Sequence, residues 1–220
     1  MEFSKNLMGT FSKGKRIKIT LVDYGMGNIS SVKNAFTYLG CEVQVTQYAS
    51  DLRKAQLIVL PGVGAFGDAM KNLKKFKLID EMNREVIEKQ TPFIGICLGM
   101  QLLADESTEN GTHQGLGWLH GQVIQFDIDS SLRVPHIGWN EIICKKDDSL
   151  FQNCNKDLDF YFVHSYWFKC SQSKHVHTTS NYGIEFTASV KKDNIFATQF
   201  HPERSHYNGL TILKNHLKSL

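Results

Sequence analysis

The chain has 220 residues, 41% of them hydrophobic and 21% charged, with a formal net charge of +3. That length suits one sizeable core and that balance an ordinary globular protein, while the charge is too small to imply nucleic acid as a partner. No apolar run reaches the roughly 18 residues a bilayer crossing needs, residues 1–16 hold no secretory signal core, and the five cysteines form no close pair, so the expectation is a reducing cytoplasm without membrane, disulfide framework or structural zinc.

Residues 1–16, which carry the basic positions Lys13, Lys15 and Arg16, read as an N-terminal extension, and residues 17–220 as one domain. Residues 17–22 form a short β-branched strand ending at Asp23, followed by the turn Tyr24-Gly25-Met26-Gly27-Asn28, where Asn28 can cap a helix over residues 30–39. Gly40 stops that helix. Residues 42–46 and 57–60 read as the next strands, residues 68–90 as helix with a break near Phe76, and residues 93–96 as a buried strand. Strands and helices that alternate in this way, with apolar rather than alternating strands, predict an α/β fold around a mostly parallel central sheet flanked by helices.

The second half changes character. Residues 122–126, 141–144, 160–163, 167–170, 175–180, 185–190 and 195–200 read as strands, and residues 205–220 as a closing helix. Lys191-Lys192-Asp193-Asn194 is a hairpin signal, which places an antiparallel section beside the parallel one.

Gly95-Ile96-Cys97-Leu98-Gly99 sets a cysteine between two glycines, after an apolar strand and before the helical stretch 100–104. This is the pattern of a nucleophile elbow, whose turn is too sharp for neighbouring side chains. A helix N-terminus favours the Cys97 thiolate, and the backbone N–H of Leu98 is placed to meet an oxyanion. The bland alternative, a small buried residue, suits Cys41, Cys144, Cys154 and Cys170, which lack the flanking glycines. A thiol needs a base, and the base an orienter. Gln199-Phe200-His201-Pro202-Glu203 offers both, because in an extended segment His201 and Glu203 project to the same side. His175 and His177 share a strand face but have no third metal-ligand candidate near them, so no metal is expected.

The segment from Gly95 to Gln101 together with the one from Gln199 to Ser205 resembles the signature of class I glutamine amidotransferases. Within that family, Pro61-Gly62-Val63-Gly64-Ala65-Phe66, Pro135-His136-Ile137-Gly138-Trp139-Asn140 and Phe160-Tyr161-Phe162-Val163-His164-Ser165-Tyr166 look like the glutaminase subunits of imidazole glycerol phosphate synthases. The resemblance implies Cys97, His201 and Glu203 as the triad, a glutamyl thioester on Cys97, and no cofactor. It implies oxyanion donors at Leu98 and at the Gly62–Val63 peptide, and L-glutamine held by Gly64, Gln101 and the backbone of His164, Ser165 and Tyr166, with Glu109 a further candidate. It also implies a heterodimer with a (β/α)8 cyclase subunit that receives the ammonia, with Met26, Asn28, Trp139, Tyr161 and Arg204 at the interface. Arg204 stands where the family commonly has lysine, and Val63 where other amidotransferases carry further glycine. The second difference suggests an oxyanion donor held out of place until the partner docks. Two rivals stay open: a paralogous subunit supplying ammonia for acetamidino sugars, and a γ-glutamyl cysteine hydrolase acting alone.

Overall fold

The computed structural model describes residues 16–144 and 148–220. The expected extension over residues 1–16 therefore lies almost wholly outside the described residues. A nine-stranded sheet has the order β2-β1-β3-β4-β13-β12-β11-β8-β9. Its first part, β1 (Lys18–Val22), β2 (Glu42–Thr46), β3 (Leu57–Gly62), β4 (Phe93–Cys97) and β13 (Ile195–Thr198), is parallel. The remaining strands, β12 (Ile184–Lys192), β11 (Val176–Tyr182), β8 (His136–Cys144) and β9 (Asp159–His164), are antiparallel. The mixed α/β sheet expected from the sequence is present.

Successive strand residues feed opposite faces: Ile19, Leu57, Val59, Ile94 and Ile96 join one core, while Val22, Ile58, Leu60 and Phe93 join the other. Both faces are buried, which is why these strands are apolar throughout. Helix α1 (Ile29–Tyr38) starts under Asn28, whose Oδ1 accepts from Ser31 N at 3.4 Å. A short α2 (Ala49–Leu52), not expected from the sequence, precedes β3. Helix α3 (Phe66–Lys75) buries Phe66, Ala69, Met70 and Leu73, an i, i+3, i+4, i+7 stripe, and matches its dipole with Asp68 at the start and Lys74 and Lys75 at the end.

The expected break falls after Lys75, where Lys77 takes φ +55°, and the chain resumes as α4 (Ile79–Met82) running into a π-turn over Asn83–Glu88. Helix α5 (Leu98–Gln101) follows the elbow, and α6 (His206–Lys218) closes the chain. The hairpin signal is met: Lys192 pairs with Ile195, and Asp193 adopts φ +50°. Strand β8 begins five residues earlier than expected, because Gly138 at φ +142° disguises its first half in the sequence. A second sheet of order β10-β7-β5-β6, with β5 Glu106–Ser107, β6 His113–Gln114, β7 Gly121–Gln125 and β10 Tyr166–Cys170, was not separable in the sequence. Among the described residues no helix is long and apolar enough to cross a membrane.

Candidate active site

The register across three neighbouring parallel strands sets the site. Gly62 pairs with Cys97 at the carboxyl end of β3 and β4, and Thr198 pairs with Ile96, so Gln199 emerges beside Cys97 on the other side. The glycine loop and the C-terminal histidine segment thus flank one cysteine, although they lie far apart in the chain.

Cys97 adopts φ 55° and ψ −110°, a conformation that disfavours any residue but glycine and marks a strained turn. The neighbouring glycines permit it. A methyl group on Gly99 would overlap the Leu60 carbonyl oxygen, and one on Gly95 would come within 2.7 Å of the Gly99 oxygen. A methyl on Gly62 would strike the Tyr24 hydroxyl and sit 2.8 Å from Leu98 Cβ, so β3 can approach the elbow only as glycine. Leu98 opens α5 with its backbone next to the sulfur.

His201 Nδ1 lies 2.8 Å from Glu203 Oε1, and both side chains are almost fully buried. The segment is not the extended strip expected from the sequence. Pro202–Arg204 is a 3₁₀ turn with proline in its first turn, where the ring's fixed φ suits a helix start. The turn is tied to β9 by His201 N donating to Tyr161 O at 2.9 Å, and by Ser205 Oγ donating to His201 O at 2.6 Å while accepting from Tyr161 N at 3.0 Å. Burial alone would lower the His201 pKa, but the nearby Cys97 sulfur and the Glu203 carboxylate behind the ring raise it to about 10, while His201 Nε2 itself is buried with no hydrogen-bond partner among the described residues.

A cavity of about 350 Å³ opens at Cys97, within the usual range for small ligands. Val63, Gly64, Leu98, Gln101, Glu109, His164, Ser165 and Tyr166, eight of the positions expected around the substrate, line it, and Pro135 joins them. Gly62 lies buried behind this lining at the end of β3. Glu109 Oε2 accepts from Phe66 N at 2.7 Å, so its carboxylate meets the first N–H of α3 and steadies the end of the Gly62–Ala65 loop. Gln101 Nε2 donates to Tyr166 O at 2.8 Å and to Gln199 Oε1 at 3.0 Å, and Gln199 Nε2 donates to Cys97 Sγ at 3.7 Å. Gln199 went unassigned in the sequence because its role depends on the β13–β4 register.

The five interface candidates fall into two groups. Trp139, 48% exposed, stacks on His206 at 5.0 Å and meets Tyr161 edge-on at 6.1 Å, with the Arg204 guanidinium 5.9 Å over the Tyr161 ring. Met26 and Asn28 lie in the turn after β1. Met26 abuts Gly64 and packs partly into the core, and Asn28 caps α1. His177 bonds Asp148 at 3.0 Å, and among the described residues no group of three or more His, Cys, Asp or Glu is placed to hold a metal.

Residues 20–220 match the model of the family "Glutamine amidotransferase class-I". The chain is 48% identical over 202 residues to the imidazole glycerol phosphate synthase subunit HisH 2 of Vibrio vulnificus, covering 91% of this chain and 94% of that protein. It is 46% identical over 197 residues to HisH 1 of Campylobacter jejuni, covering 90% and 98%. Among solved structures, PurLQS from Thermotoga maritima superposes with a TM-score of 0.73 at 20% identity, covering 93% of this chain and 99% of that one, which supports the fold. The chain therefore belongs to the class I glutamine amidotransferases, in the group whose relatives are HisH subunits of imidazole glycerol phosphate synthase.

Proposed function

We propose that the chain hydrolyses L-glutamine and delivers the ammonia to a separate (β/α)8 cyclase subunit that makes imidazole glycerol phosphate. The observation that carries this reading is the line-up of Gly62, Cys97 and Gln199 along the carboxyl ends of adjacent strands, with the cavity opening at Cys97 and the paired His201 and Glu203 close enough for the sulfur to raise the His201 pKa. Cys97 Sγ attacks the side-chain carbonyl carbon of glutamine, and the oxyanion is met by Leu98 N–H and a donor from the Gly62–Val63 peptide. The C–N bond then breaks and the His201 imidazolium gives its proton to the leaving ammonia. His201 next takes a proton from water, which cleaves the thioester and releases glutamate. Glu203 fixes the imidazole tautomer throughout. Gly64, Gln101, Glu109, His164, Ser165 and Tyr166 hold the substrate.

The relatives' names favour this branch over an acetamidino-sugar paralogue and over a partner-independent hydrolase. Trp139, Tyr161 and Arg204 offer aromatic and guanidinium anchors for docking, with Met26 and Asn28 bordering the glycine loop. Val63 is 43% exposed at the cavity, where docking can reset its peptide, so hydrolysis is expected to be slow without the partner. The test is Cys97→Ala in the assembled enzyme. Glutamine-dependent synthesis should vanish while ammonia-dependent synthesis persists, and unchanged glutamine use would overturn the proposal.

A further inference from the structure

Strands β8 and β9 pair so that His136 stands opposite His164, and both rings are buried. His136 does not itself line the cavity, yet its hydrogen bonds lead there through His164, which does. Tyr166 O can only accept, so the 2.9 Å contact from His164 Nδ1 places a proton on that nitrogen. Neutral His164 then has Nε2 as an acceptor, and the 3.1 Å contact with His136 Nδ1 makes His136 the donor. His136 Nε2 is left to accept from Asn140 Nδ2 at 3.3 Å, and the same amide donates to Asn181 O at 2.9 Å. Every link closes with both imidazoles neutral and both carrying their proton on Nδ1, a state that burial of the two rings also favours.

The far end reaches the sulfur. Tyr166 O takes a second bond from Gln101 Nε2, which also holds Gln199 Oε1, and Gln199 Nε2 points at Cys97 Sγ. His136 is clamped in turn between Tyr182, 4.0 Å away and stacked, and Phe162, 5.0 Å away and stacked. From the joined contacts, and resting on the glutaminase reading above, we infer that His136 is a positioning residue for Cys97. By fixing the His164 tautomer it holds the Tyr166 carbonyl, and through Gln101 and Gln199 it holds the N–H that aims the nucleophile. The other face of β8 exposes Ile137 and Trp139, so the strand proposed to meet the partner also carries the outer end of this relay.

The test has two arms. Long-range ¹H–¹⁵N spectra of the wild-type chain at neutral pH should show the His136 and His164 imidazoles protonated on Nδ1, and an Nε2 proton on either overturns the relay. In the assembled enzyme, His136→Phe should lower kcat for glutamine hydrolysis about tenfold, with KM held within about twofold and ammonia-dependent synthesis unchanged. His136→Asn, whose amide nitrogen can replace the Nδ1 donor, should restore most of the loss. Equal losses in both variants, or none in either, refute positioning. Absence of glutamine hydrolysis in the wild-type assembly would refute the functional reading instead and leave the tautomer measurement standing.

Discussion

The two sides of the site are held in place by different means. On the side of the proposed nucleophile the backbone sets the geometry: Cys97 sits at φ 55° because the glycines on either side leave no Cβ to collide with Leu60 or with each other. On the side of the proposed base, side-chain and long-range bonds do it: His201 hangs from Tyr161, its turn is fastened by Ser205, and Glu203 is held against the imidazole. A strained local turn has to be written in adjacent residues. A hydrogen-bonded clamp can draw its parts from anywhere in the chain, so the two sides should fail differently when altered.

Breaking the backbone side should have the largest effect. Gly99→Ala forces a methyl group into the Leu60 carbonyl, and the account predicts loss of at least about 3 kcal/mol of unfolding free energy or no folded protein at all, read by urea denaturation. Near wild-type stability would mean that the elbow is looser than its geometry indicates. Breaking the base side should spare the fold and cost chemistry. Glu203→Gln keeps the size but removes the charge behind His201, and glutamine hydrolysis in the assembled enzyme should fall about 10²–10⁴-fold with ammonia-dependent synthesis retained. A loss under about tenfold would remove Glu203 from its orienting role.

A smaller effect separates the histidines themselves. Burial holds His136 down to about 4, and burial, together with the neighbouring His136 and His201, holds His164 down to about 3. The unfolded chain protonates both near the ordinary value of 6.5, whereas the folded protein does not, so as pH falls from 6.5 toward 4 the unfolded state binds more protons. Stability should drop in that window by up to about 1.4 kcal/mol per pH unit for each histidine. His201, raised to about 10, acts in the opposite sense and only above 6.5: its contribution is complete below that value and is lost as pH climbs toward 10. Burial also lowers His216, to about 4, and His177, so chemical denaturation at pH 7 and pH 5 checks the sign for the buried histidines together, and equal stabilities would contradict their neutral burial.

The same contrast explains what the sequence disclosed. The parallel strands and the Cys97 elbow were legible because apolar runs and flanking glycines are local signals. His201 and Glu203 were legible as residue types at a suggestive spacing, but the turn joining them was read as extended, since Pro202 fits either geometry. Gln199 and His136 were quoted in motifs without a role. Their contacts are created by the β13–β4 and β8–β9 registers, which pair residues many positions apart and leave no mark on nearby sequence. The short strands β5 and β6, two residues each, carry too little pattern to be seen.

The central claim is that one sulfur among five attacks the glutamine side chain. Burial pushes the Cys41 thiol up to about 11 and the Cys154 thiol to about 12, and raises Cys170 as well, so these should stay protonated and slow. The direct measurement is peptide mass spectrometry of the assembled enzyme after treatment with 6-diazo-5-oxo-L-norleucine, an electrophilic glutamine analogue. A single adduct on Cys97, blocked by excess glutamine, is the predicted result. An unlabelled Cys97, or label spread over the other cysteines, would contradict the account.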